Sequence, residues 1–425
     1  MEFDLETLAR DWIDGISGRA FRVKFDTALS RLGAVPVADR GRGALLCERD
    51  PVEFAAVFFA AASLRFPITL ANPKWGEREW GEFARLLAPA VTFGQAGEGP
   101  NAFRSASSQA KALSDLEAGT ILIPTGGSSG GVKLAIHSWA SLSAACEGVQ
   151  AFLGGGPIDS CCVLPLYHVS GLMQLLRAYY TGGRIRFDED AVAGRCLSYV
   201  PTQLQRALRD PQRVRELSTA RAIFVGGAAL AEGVADRARE LKLPVIPVYG
   251  MTETAAMVAA IPRDDFLADP KAGAVVFGKT RVEIEADGRI RIQSPALFKG
   301  YQGHDPLDLS RGYLTDDEGY LDQAGRLHVL GRVDRLINSG GEKIDPREVE
   351  AAICQIDGVD EALAVGVPDS EWGQKLVVYY TGHQLSSWKS ALKEHVASYK
   401  IPKEMHWVEV LPLDEKGKRV KESTP

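Results

Sequence analysis

Residues 121–137 read ILIPTGGSSGGVKLAIH, a short apolar run that leads into the glycine- and hydroxyl-rich loop Thr125–Lys133. Glycines let a backbone approach a polyphosphate closely, hydroxyl and amide groups hydrogen-bond its oxygens, and a lysine supplies positive charge. No Gly-Lys-Ser/Thr follows at the spacing of a Walker A loop. The stretch predicts a phosphate-binding loop after a strand, and a flexible surface loop is the alternative.

Similar apolar runs lie on the C-terminal side of this loop. Residues 162–165, 222–225 and 245–248, together with 121–124, predict strands that alternate with amphipathic helices. Each run leads into a turn or a glycine-rich segment, and loops after strand ends are where such sheets hold ligands. The pattern predicts an α/β fold.

The pattern changes after Lys279. Alternating residues around Asp287-Gly288 predict a hairpin, and Gly325 predicts the turn of a second one. A new unit with two helices and two strands begins near Gly331. We therefore expect a multi-domain chain. Its large N-terminal domain (1–333) has mixed sheets, helices and a β-rich subdomain, and its small mobile α+β domain covers 334–425.

Composition narrows the class of protein. The chain has 425 residues, 45% hydrophobic and 24% charged, with a formal net charge of -6, so nothing favours a nucleic-acid or anionic-membrane partner. The longest apolar stretch, Phe54–Leu64, is shorter than the ~20 residues that span a bilayer and predicts a core helix. Met1–Asp14 is acidic, unlike a secretory signal. The six cysteines lack metal-ligand spacing, which favours reduced thiols in a cytoplasm.

A second motif, Tyr249–Glu253, also follows an apolar run. A hydroxyl beside a carboxylate at a strand end suits phosphate contact and Mg²⁺ ligation, because Mg²⁺ prefers oxygen ligands that it shares with phosphates. A helix start capped by Thr252 is the alternative. Likewise Asp317 could solvate a turn and Arg332 could be a surface charge.

The order of these motifs resembles the adenylate-forming superfamily of acyl-CoA synthetases, peptide-synthetase adenylation domains and luciferases. The resemblance runs from about Leu46 to Lys421. It rests on five segments in the family's order, namely Thr125–Lys133, Tyr249–Glu253, Thr315-Asp316-Asp317, Gly331-Arg332-Val333-Asp334 and Gly417-Lys418. The loop departs from the usual pattern at Gly126, Ser129 and Val132, and Asp316 replaces the usual glycine.

The resemblance implies roles for individual residues. The implied ATP and AMP site comprises Thr125, Gly126, Gly127, Ser128, Ser129, Gly130, Lys133, Gly227, Ala228, Tyr249, Gly250, Thr252, Asp317 and Arg332. The implied catalytic residues are Lys418, Thr252, Glu253 and His168, with Glu253 as the Mg²⁺ ligand. The implied coenzyme A and hinge residues are Asp334, Ser339, Gly340 and Gly341. Cations in such a site relieve the repulsion between a carboxylate and a phosphate.

Within the superfamily, the chain resembles the o-succinylbenzoate–CoA ligases most closely. The segments that carry this likeness are Pro165–Gly171, Val200–Leu204, Gly226–Leu230 and Ser339–Glu342. The implied acyl pocket comprises His168, Ser170, Arg177, Gly226, Gly250 and Met251. Arg177 would pair with the carboxylate that does not react, since arginine binds carboxylates bidentately. A helix-surface position for Arg177 and a core position for His168 are the alternatives.

These likenesses imply an ATP-dependent carboxylate–CoA ligase of menaquinone or phylloquinone biosynthesis, with ATP, Mg²⁺ and coenzyme A. The alternatives are a benzoate-type aryl-CoA ligase and a non-catalytic acyl-adenylate-binding protein. The expected partners are small molecules, without nucleic acid or membrane, and a homodimer is left open. The two half-reactions need different partners at one carboxyl carbon, so we expect the C-terminal domain to swing about Asp334.

Overall fold

The computed structural model describes residues 5–75, 77–94, 116–126, 132–333, 337–339, 342–369, 372–385, 388–392, 396 and 400–411. These residues form two compact units. The first comprises the described residues up to 285 together with 291–314 and 321–328. The second comprises 286–290, 315–320 and the described residues from 329 onward. The single domain boundary expected between 333 and 334 stays a prediction.

The first unit starts with a five-stranded sheet. Its strands are β1 (Ala44–Cys47), β2 (Ile68–Leu70), β3 (Val91–Gly94), β4 (Thr120–Gly126) and β5 (Val132–Ser138). They lie in the order β3-β1-β2-β4-β5, with β5 antiparallel to β4 and the other neighbours parallel. The two inner parallel strands, β1 and β2, are buried and almost wholly apolar, as strands covered on both faces require.

Among the described residues, four helices accompany this sheet. They are α1 (Leu5–Leu8), α2 (Gly18–Gly33), α3 (Pro51–Ser63) and α4 (Glu77–Leu86). Helix α3 begins where the Asp50 carboxylate accepts the N–H groups of Val52 and Glu53, and Pro51 occupies its first turn. Residues 54–61 of α3 are all buried, so the predicted core helix is confirmed.

A seven-stranded sheet follows in the first unit. Its strands are β6 (Ser160–Cys161), β7 (Ile185–Arg186), β8 (Cys196–Tyr199), β9 (Ala222–Val225), β10 (Val245–Met251), β11 (Ala256–Ala260) and β12 (Val275–Val276). The order is β12-β11-β10-β9-β8-β6-β7. Strands β6 to β10 pair in parallel, and β11 and β12 are antiparallel additions. The carboxyl ends of β8, β9 and β10 therefore meet at one edge, where such sheets hold ligands.

Six helices belong to this sheet. They are α5 (Trp139–Phe152), α6 (Val169–Thr181), α7 (Pro201–Ala207), α8 (Pro211–Leu217), α9 (Glu232–Glu240) and α10 (Arg263–Ala268). Helix α5 begins with a capping box between Ser138 and Ser141. Helix α6 ends at Gly182, whose φ of +74° gives the left-handed C-terminal cap that favours glycine.

The strand predicted at 162–165 is wrong. Strand β6 ends at Cys161. The Cys162 N–H still donates to the Arg186 carbonyl at 2.8 Å, but residues 163–165, all of them described, belong to no strand. The strands predicted at 121–124, 222–225 and 245–248 are confirmed within β4, β9 and β10.

A third sheet is built from β13 (Arg281–Ile284), β14 (Arg289–Gln293), β15 (Tyr313–Leu321) and β16 (Leu327–Arg332), in that order. The two predicted turns are confirmed: Gly288 has φ +86° between β13 and β14, and Gly325 has φ +74° between β15 and β16. Both glycines supply a left-handed conformation that other residues adopt at a cost.

The second unit has its own sheet and core. Its further elements are β17 (Ile337–Ser339), β18 (Glu342–Ile344), α11 (Pro346–Cys354), β19 (Val359–Asp369), β20 (Gly373–Gly382), α12 (Trp388–Leu392) and β21 (Glu404–Trp407). The strand order is β18-β17-β20-β19, with β21 also on β20. Val349 and Ile353 of α11 bury against Val378 of β20. Among the described residues of the whole chain, no helix is long and apolar enough to cross a membrane.

Candidate active site

The β4–β5 hairpin brings together the two ends of the predicted phosphate loop. Thr125 lies opposite Lys133, and Gly126 lies opposite Val132 in the antiparallel register. Directly opposite residues place their Cβ atoms about 5 Å apart. The four loop residues between these strands that were assigned to the nucleotide site lie outside the described residues, namely Gly127, Ser128, Ser129 and Gly130.

Lys133, Tyr301 and Glu253 form a connected group. The Nζ atom of Lys133 lies 5.3 Å from the centre of the Tyr301 ring, within the range of a cation–π contact. The hydroxyl of Tyr301 donates a hydrogen bond to Oε1 of Glu253. Burial, followed by the negative charge of Glu253, raises the pKa of Tyr301 well above its ordinary value, so the hydroxyl stays a donor. Sequence reasoning missed Tyr301, which is 48 residues from Glu253 and stands in no motif used above.

The carboxylate of Glu253 is buried, with only 7% of the residue exposed. Its Oε1 accepts the hydrogen bond from the Tyr301 hydroxyl. A carboxylate oxygen of this kind is a suitable ligand for Mg²⁺. Across the described ranges no three His, Cys, Asp or Glu side chains cluster to hold a metal.

The backbone around Glu253 is sharply bent. Strand β10 has an irregularity between Tyr249 and Gly250, and a side chain at Gly250 would overlap the Ala256 carbonyl. A short 3-10 helix, Thr252–Thr254, follows and ends at Ala255, whose φ of +51° is unusual for alanine. Only glycine fits at position 250, so Thr252 and Glu253 occupy a fixed turn after the strand.

Two buried side chains hold this turn. Thr254 is fully buried, and its Oγ1 accepts the Met251 N–H at 3.0 Å and donates to the Ala256 carbonyl at 2.6 Å. His137 of β5 places Nε2 2.7 Å from the Thr252 carbonyl. These contacts fix the backbone on both sides of Glu253.

His137 is 1% exposed, and burial lowers its pKa to about 4, so its ring is neutral near pH 7. Because the Thr252 carbonyl only accepts, Nε2 carries the proton, and Nδ1 accepts from Ser141 Oγ at 3.0 Å. Sequence reasoning missed His137. The only signal was a histidine directly after the apolar residues 134–136.

Arg177 of α6 is buried, with 3% exposed, so the helix-surface alternative is wrong. Its Nη1 lies 3.8 Å from Sδ of Met257, and its Nη2 lies 3.5 Å from Oγ of Ser198. The guanidinium carbon lies 5.5 Å from the centre of the Phe224 ring. Burial lowers the Arg177 pKa, yet an arginine keeps its charge in a protein. Among the described residues no carboxylate pairs with it.

His168 lies at the opposite end of α6 from Arg177. It occupies the N-cap position and is half-buried, with its ring 4.8 Å from that of Tyr167. Nine residues of helix separate the two side chains by about 13 Å along the axis. Ser170 lies in the first turn and gives its carbonyl to Gln174. The structure therefore places the predicted acyl-pocket residues of α6 along the helix and not at a single point.

The segment after β9 lies beside the end of β10. Val225 pairs with Pro247, so Gly226 and Gly227 follow at the carboxyl edge of the sheet, with Ala228 after them. A side chain at Gly226 would meet Val248, and Gly227 has φ +83°, so both positions favour glycine. Met251 ends β10 at this same edge. The sheet thus gathers several predicted ligand residues, although their roles stay predictions.

The second unit carries Asp317, Arg332 and Ser339. The Asp317 N–H donates to Thr315 Oγ1 at 3.1 Å, and Arg332 forms an ion pair with Asp316 at 3.0 Å. Asp316, the departure from the family pattern, therefore partners Arg332, which the resemblance assigns to the ATP and AMP site. Ser339 is buried in β17. The remaining predicted residues of this part of the chain, Asp334, Gly340, Gly341 and Lys418, lie outside the described residues.

Comparison with known families gives two matches. The model of the AMP-binding enzyme family matches residues 28–302, and that of the AMP-binding enzyme C-terminal domain matches residues 348–418. A curated relative, the 2-succinylbenzoate–CoA ligase of Lactococcus lactis subsp. lactis (strain IL1403), is 31% identical over 318 residues. That alignment covers 70% of this chain and 69% of the relative.

Solved structures show the same fold. The o-succinylbenzoate CoA synthetase from Bacillus subtilis, in complex with the acyl-adenylate intermediate OSB-AMP, superposes with a TM-score of 0.80 at 23% identity, over 96% of this chain and 93% of that one. The same synthetase in complex with ATP and magnesium ion gives a TM-score of 0.80 at 22% identity, over 96% and 95%. These likenesses confirm the predicted fold class.

Proposed function

We propose that this chain, which belongs to the AMP-binding enzyme family, joins o-succinylbenzoate to coenzyme A through an acyl-adenylate. The observation that carries the choice of acid is Arg177, a buried guanidinium that has no carboxylate partner among the described residues. An isolated buried charge is costly, and a substrate carboxylate would offset that cost. An aromatic acid with a second carboxylate, such as o-succinylbenzoate, supplies that partner.

The reaction has two steps. In the first, a carboxylate oxygen forms a bond to the α-phosphorus of ATP, the bond to the oxygen that bridges to the β-phosphate breaks, and pyrophosphate leaves. In the second, the sulfur of coenzyme A forms a bond to the acyl carbon, the bond to AMP breaks, and the thiol proton passes to solvent. Both steps depend on positioned groups that balance phosphate charge.

The nucleotide end of the site is formed by the β4–β5 hairpin and the turn after β10. In this proposal Thr125 and Lys133 hold the outer phosphates, and Thr252 contacts the α-phosphate. The Glu253 carboxylate would hold Mg²⁺ through the oxygen that Tyr301 does not occupy. When bound, Mg²⁺ neutralises part of the phosphate charge. Tyr301 and His137 fix the carboxylate and the turn, so little rearrangement is needed when ATP arrives.

The acid end is formed by α6 and the face of the seven-stranded sheet. Arg177 holds the carboxylate that does not react, while the thioether of Met257 and the ring of Phe224 give the apolar surroundings that strengthen a charge pair. His168, at the N-terminus of α6, would lie near the reacting carboxylate. This arrangement selects diacids of matching length over simple benzoates.

Several parts of the proposal concern residues outside the described ranges. Lys418 would contact the carboxylate and the α-phosphate during adenylation. A swing about Asp334 would then remove it and bring Gly340 and Gly341 towards the site for coenzyme A. A cytoplasmic location, a homodimer and a place in menaquinone or phylloquinone biosynthesis belong to the same proposal.

Acid-dependent ATP–pyrophosphate exchange tests the function. The purified chain with ATP, Mg²⁺ and labelled pyrophosphate is supplied with o-succinylbenzoate, benzoate or no acid, and the label that enters ATP is measured. We expect exchange with o-succinylbenzoate that exceeds exchange with benzoate at equal concentration. Faster exchange with benzoate would assign the chain to the aryl-CoA ligases, and no exchange with either acid would contradict the proposal.

A further inference from the structure

Aromatic side chains pack helix α4 against the β4–β5 hairpin. Trp80 and Phe83 are fully buried, with ring centres 5.7 Å apart, and they pack with Leu122 of β4 and Leu134 of β5. Trp75, just before the helix, adds a third ring 5.3 Å from that of Trp80. The position of α4 relative to the hairpin is therefore fixed by packing.

Glu82, next to Phe83 on this helix, reaches the start of β5. Its Oε2 accepts the backbone N–H of Val132 at 2.9 Å, a contact between residues 50 positions apart. Val132 is the first residue of the strand that follows the predicted phosphate loop. A hydrogen bond to a carboxylate is shorter and stronger than one between neutral groups. Glu82 thus ties the loop's end to a rigid helix.

Val132 immediately precedes Lys133, so the bond also fixes the backbone from which the lysine extends. The Lys133 amine lies 5.3 Å from the Tyr301 ring, and Tyr301 binds Glu253. A lysine on a flexible four-carbon side chain depends on its backbone position to present its charge at one place. The chain of contacts runs from α4 to the candidate metal ligand.

We propose that Glu82 is a positioning residue for ATP, which acts by fixing Val132 and, through it, Lys133. This inference rests on the proposed function, because it takes the β4–β5 hairpin as the nucleotide site. Glu82 itself need not touch ATP. Its carboxylate fixes the position of the Lys133 amine for binding of the triphosphate.

The Kd for MgATP, measured by calorimetry on the full chain without acid, tests this inference. We expect Glu82→Ala to weaken MgATP binding roughly tenfold, because the Val132 N–H loses a charge-assisted partner. Glu82→Gln keeps an acceptor oxygen and should stay close to the parent. Arg85→Ala, an exposed change on the same helix, is the matched control and should leave the Kd unchanged.

A double-mutant cycle with Lys133→Ala separates positioning from general destabilisation. If Glu82 acts through Lys133, adding Glu82→Ala to Lys133→Ala should not weaken MgATP binding further. Loss of folded protein alone would lower kcat and leave the Kd of the remaining protein unchanged. The inference is overturned if folded Glu82→Ala binds MgATP like the parent, if Glu82→Gln is as weak as Glu82→Ala, or if the two changes add fully. MgATP binding without o-succinylbenzoate exchange would refute the proposed acid and leave this inference standing.

Discussion

The carboxylate of Glu253 and the guanidinium of Arg177 are both buried, yet the protein surrounds them differently. Glu253 accepts a hydrogen bond from Tyr301, and the turn that carries it is held by His137 and Thr254. Arg177 meets a thioether at 3.8 Å, a hydroxyl at 3.5 Å and a ring face. These contacts are at or beyond the limit of ordinary hydrogen bonds.

This difference suggests separate functions for the two ends of the proposed site. The nucleotide end binds the same molecule whatever acid is used, so its groups can be fixed in advance by the protein's own bonds. In the proposed function, the acid end keeps a buried charge that has no strong partner among the described residues, and a substrate carboxylate would supply that partner. Specificity should therefore be concentrated at Arg177, and rate at the Glu253 turn.

Removal of the Arg177 charge should produce the largest effect. We expect Arg177→Ala to lower kcat/KM for o-succinylbenzoate. The corresponding loss of transition-state stabilisation should be roughly 2–5 kcal/mol, because the substrate carboxylate would be buried without its cation. The KM for ATP should barely change. Exchange kinetics with each substrate varied in turn measure this, with Arg237→Ala, an exposed arginine of α9, as the control. Equal losses for acid and ATP would contradict the division between the two ends.

Protonation of His137 should act on stability over a defined pH range. Its pKa is about 4 in the folded protein and 6.5 as the ordinary value. The unfolded chain binds the proton more readily than the folded protein does. The contribution of the neutral His137 ring to the free energy of unfolding is therefore complete above about pH 6.5 and is lost as pH falls towards 4. The shift corresponds to about 3 kcal/mol.

Urea unfolding from pH 7 to pH 4.5 checks this expectation. The free energy of unfolding of the parent should fall more steeply with acid than that of His137→Gln, in which the titrating ring is absent. His406→Gln, at an exposed position of β21, should keep the parent's slope. If the free energy of unfolding changed with pH in the same way for the parent and for His137→Gln, protonation of the buried ring would not contribute to the pH dependence of stability.

Tyr301→Phe should have a smaller effect, confined to the nucleotide end. Without the hydroxyl, the Glu253 carboxylate loses its orienting donor, and the apparent affinity for Mg²⁺ in the exchange reaction should fall about tenfold. The KM for o-succinylbenzoate should stay unchanged. Mg²⁺ titrations of exchange rates measure both, with the exposed Tyr320→Phe as the control. An unchanged Mg²⁺ requirement would remove Tyr301 from the account.

Ser198→Ala should have the smallest effect. The Ser198 hydroxyl lies 3.5 Å from Arg177, too far for a strong bond. We therefore expect kcat/KM for the acid to change by an amount that corresponds to less than about 1 kcal/mol. Steady-state kinetics beside Arg177→Ala make the comparison directly. A loss as large as that of Arg177→Ala would mean that the protein, and not the substrate, holds the guanidinium.

The sequence alone predicted the parts of the fold that local patterns encode. Apolar runs at 121–124, 222–225 and 245–248 became strands because each is buried in a sheet. The run at 162–165 is equally apolar and, like the runs at 121–124 and 245–248, contains a proline, yet the strand there ends at Cys161. Local composition could not reveal where hydrogen bonding stops.

The same limit of local patterns applies to the candidate site. Thr125 and Glu253 stand in ordered motifs, and Arg177 falls where the o-succinylbenzoate–CoA ligases place an arginine, so the family resemblance could point to all three. Tyr301 and Glu82 act through contacts 48 and 50 residues away, which no local pattern encodes. Because such contacts arise only when distant segments pack together, the supporting residues needed the structure.

Formation of the thioester tests the central claim most directly. The purified chain is incubated with ATP, Mg²⁺, coenzyme A and o-succinylbenzoate, and the products are measured by mass spectrometry. We predict o-succinylbenzoyl-CoA together with AMP and pyrophosphate in equal amounts. Formation of ADP and phosphate, or an acyl-adenylate that never yields the thioester, would contradict the account.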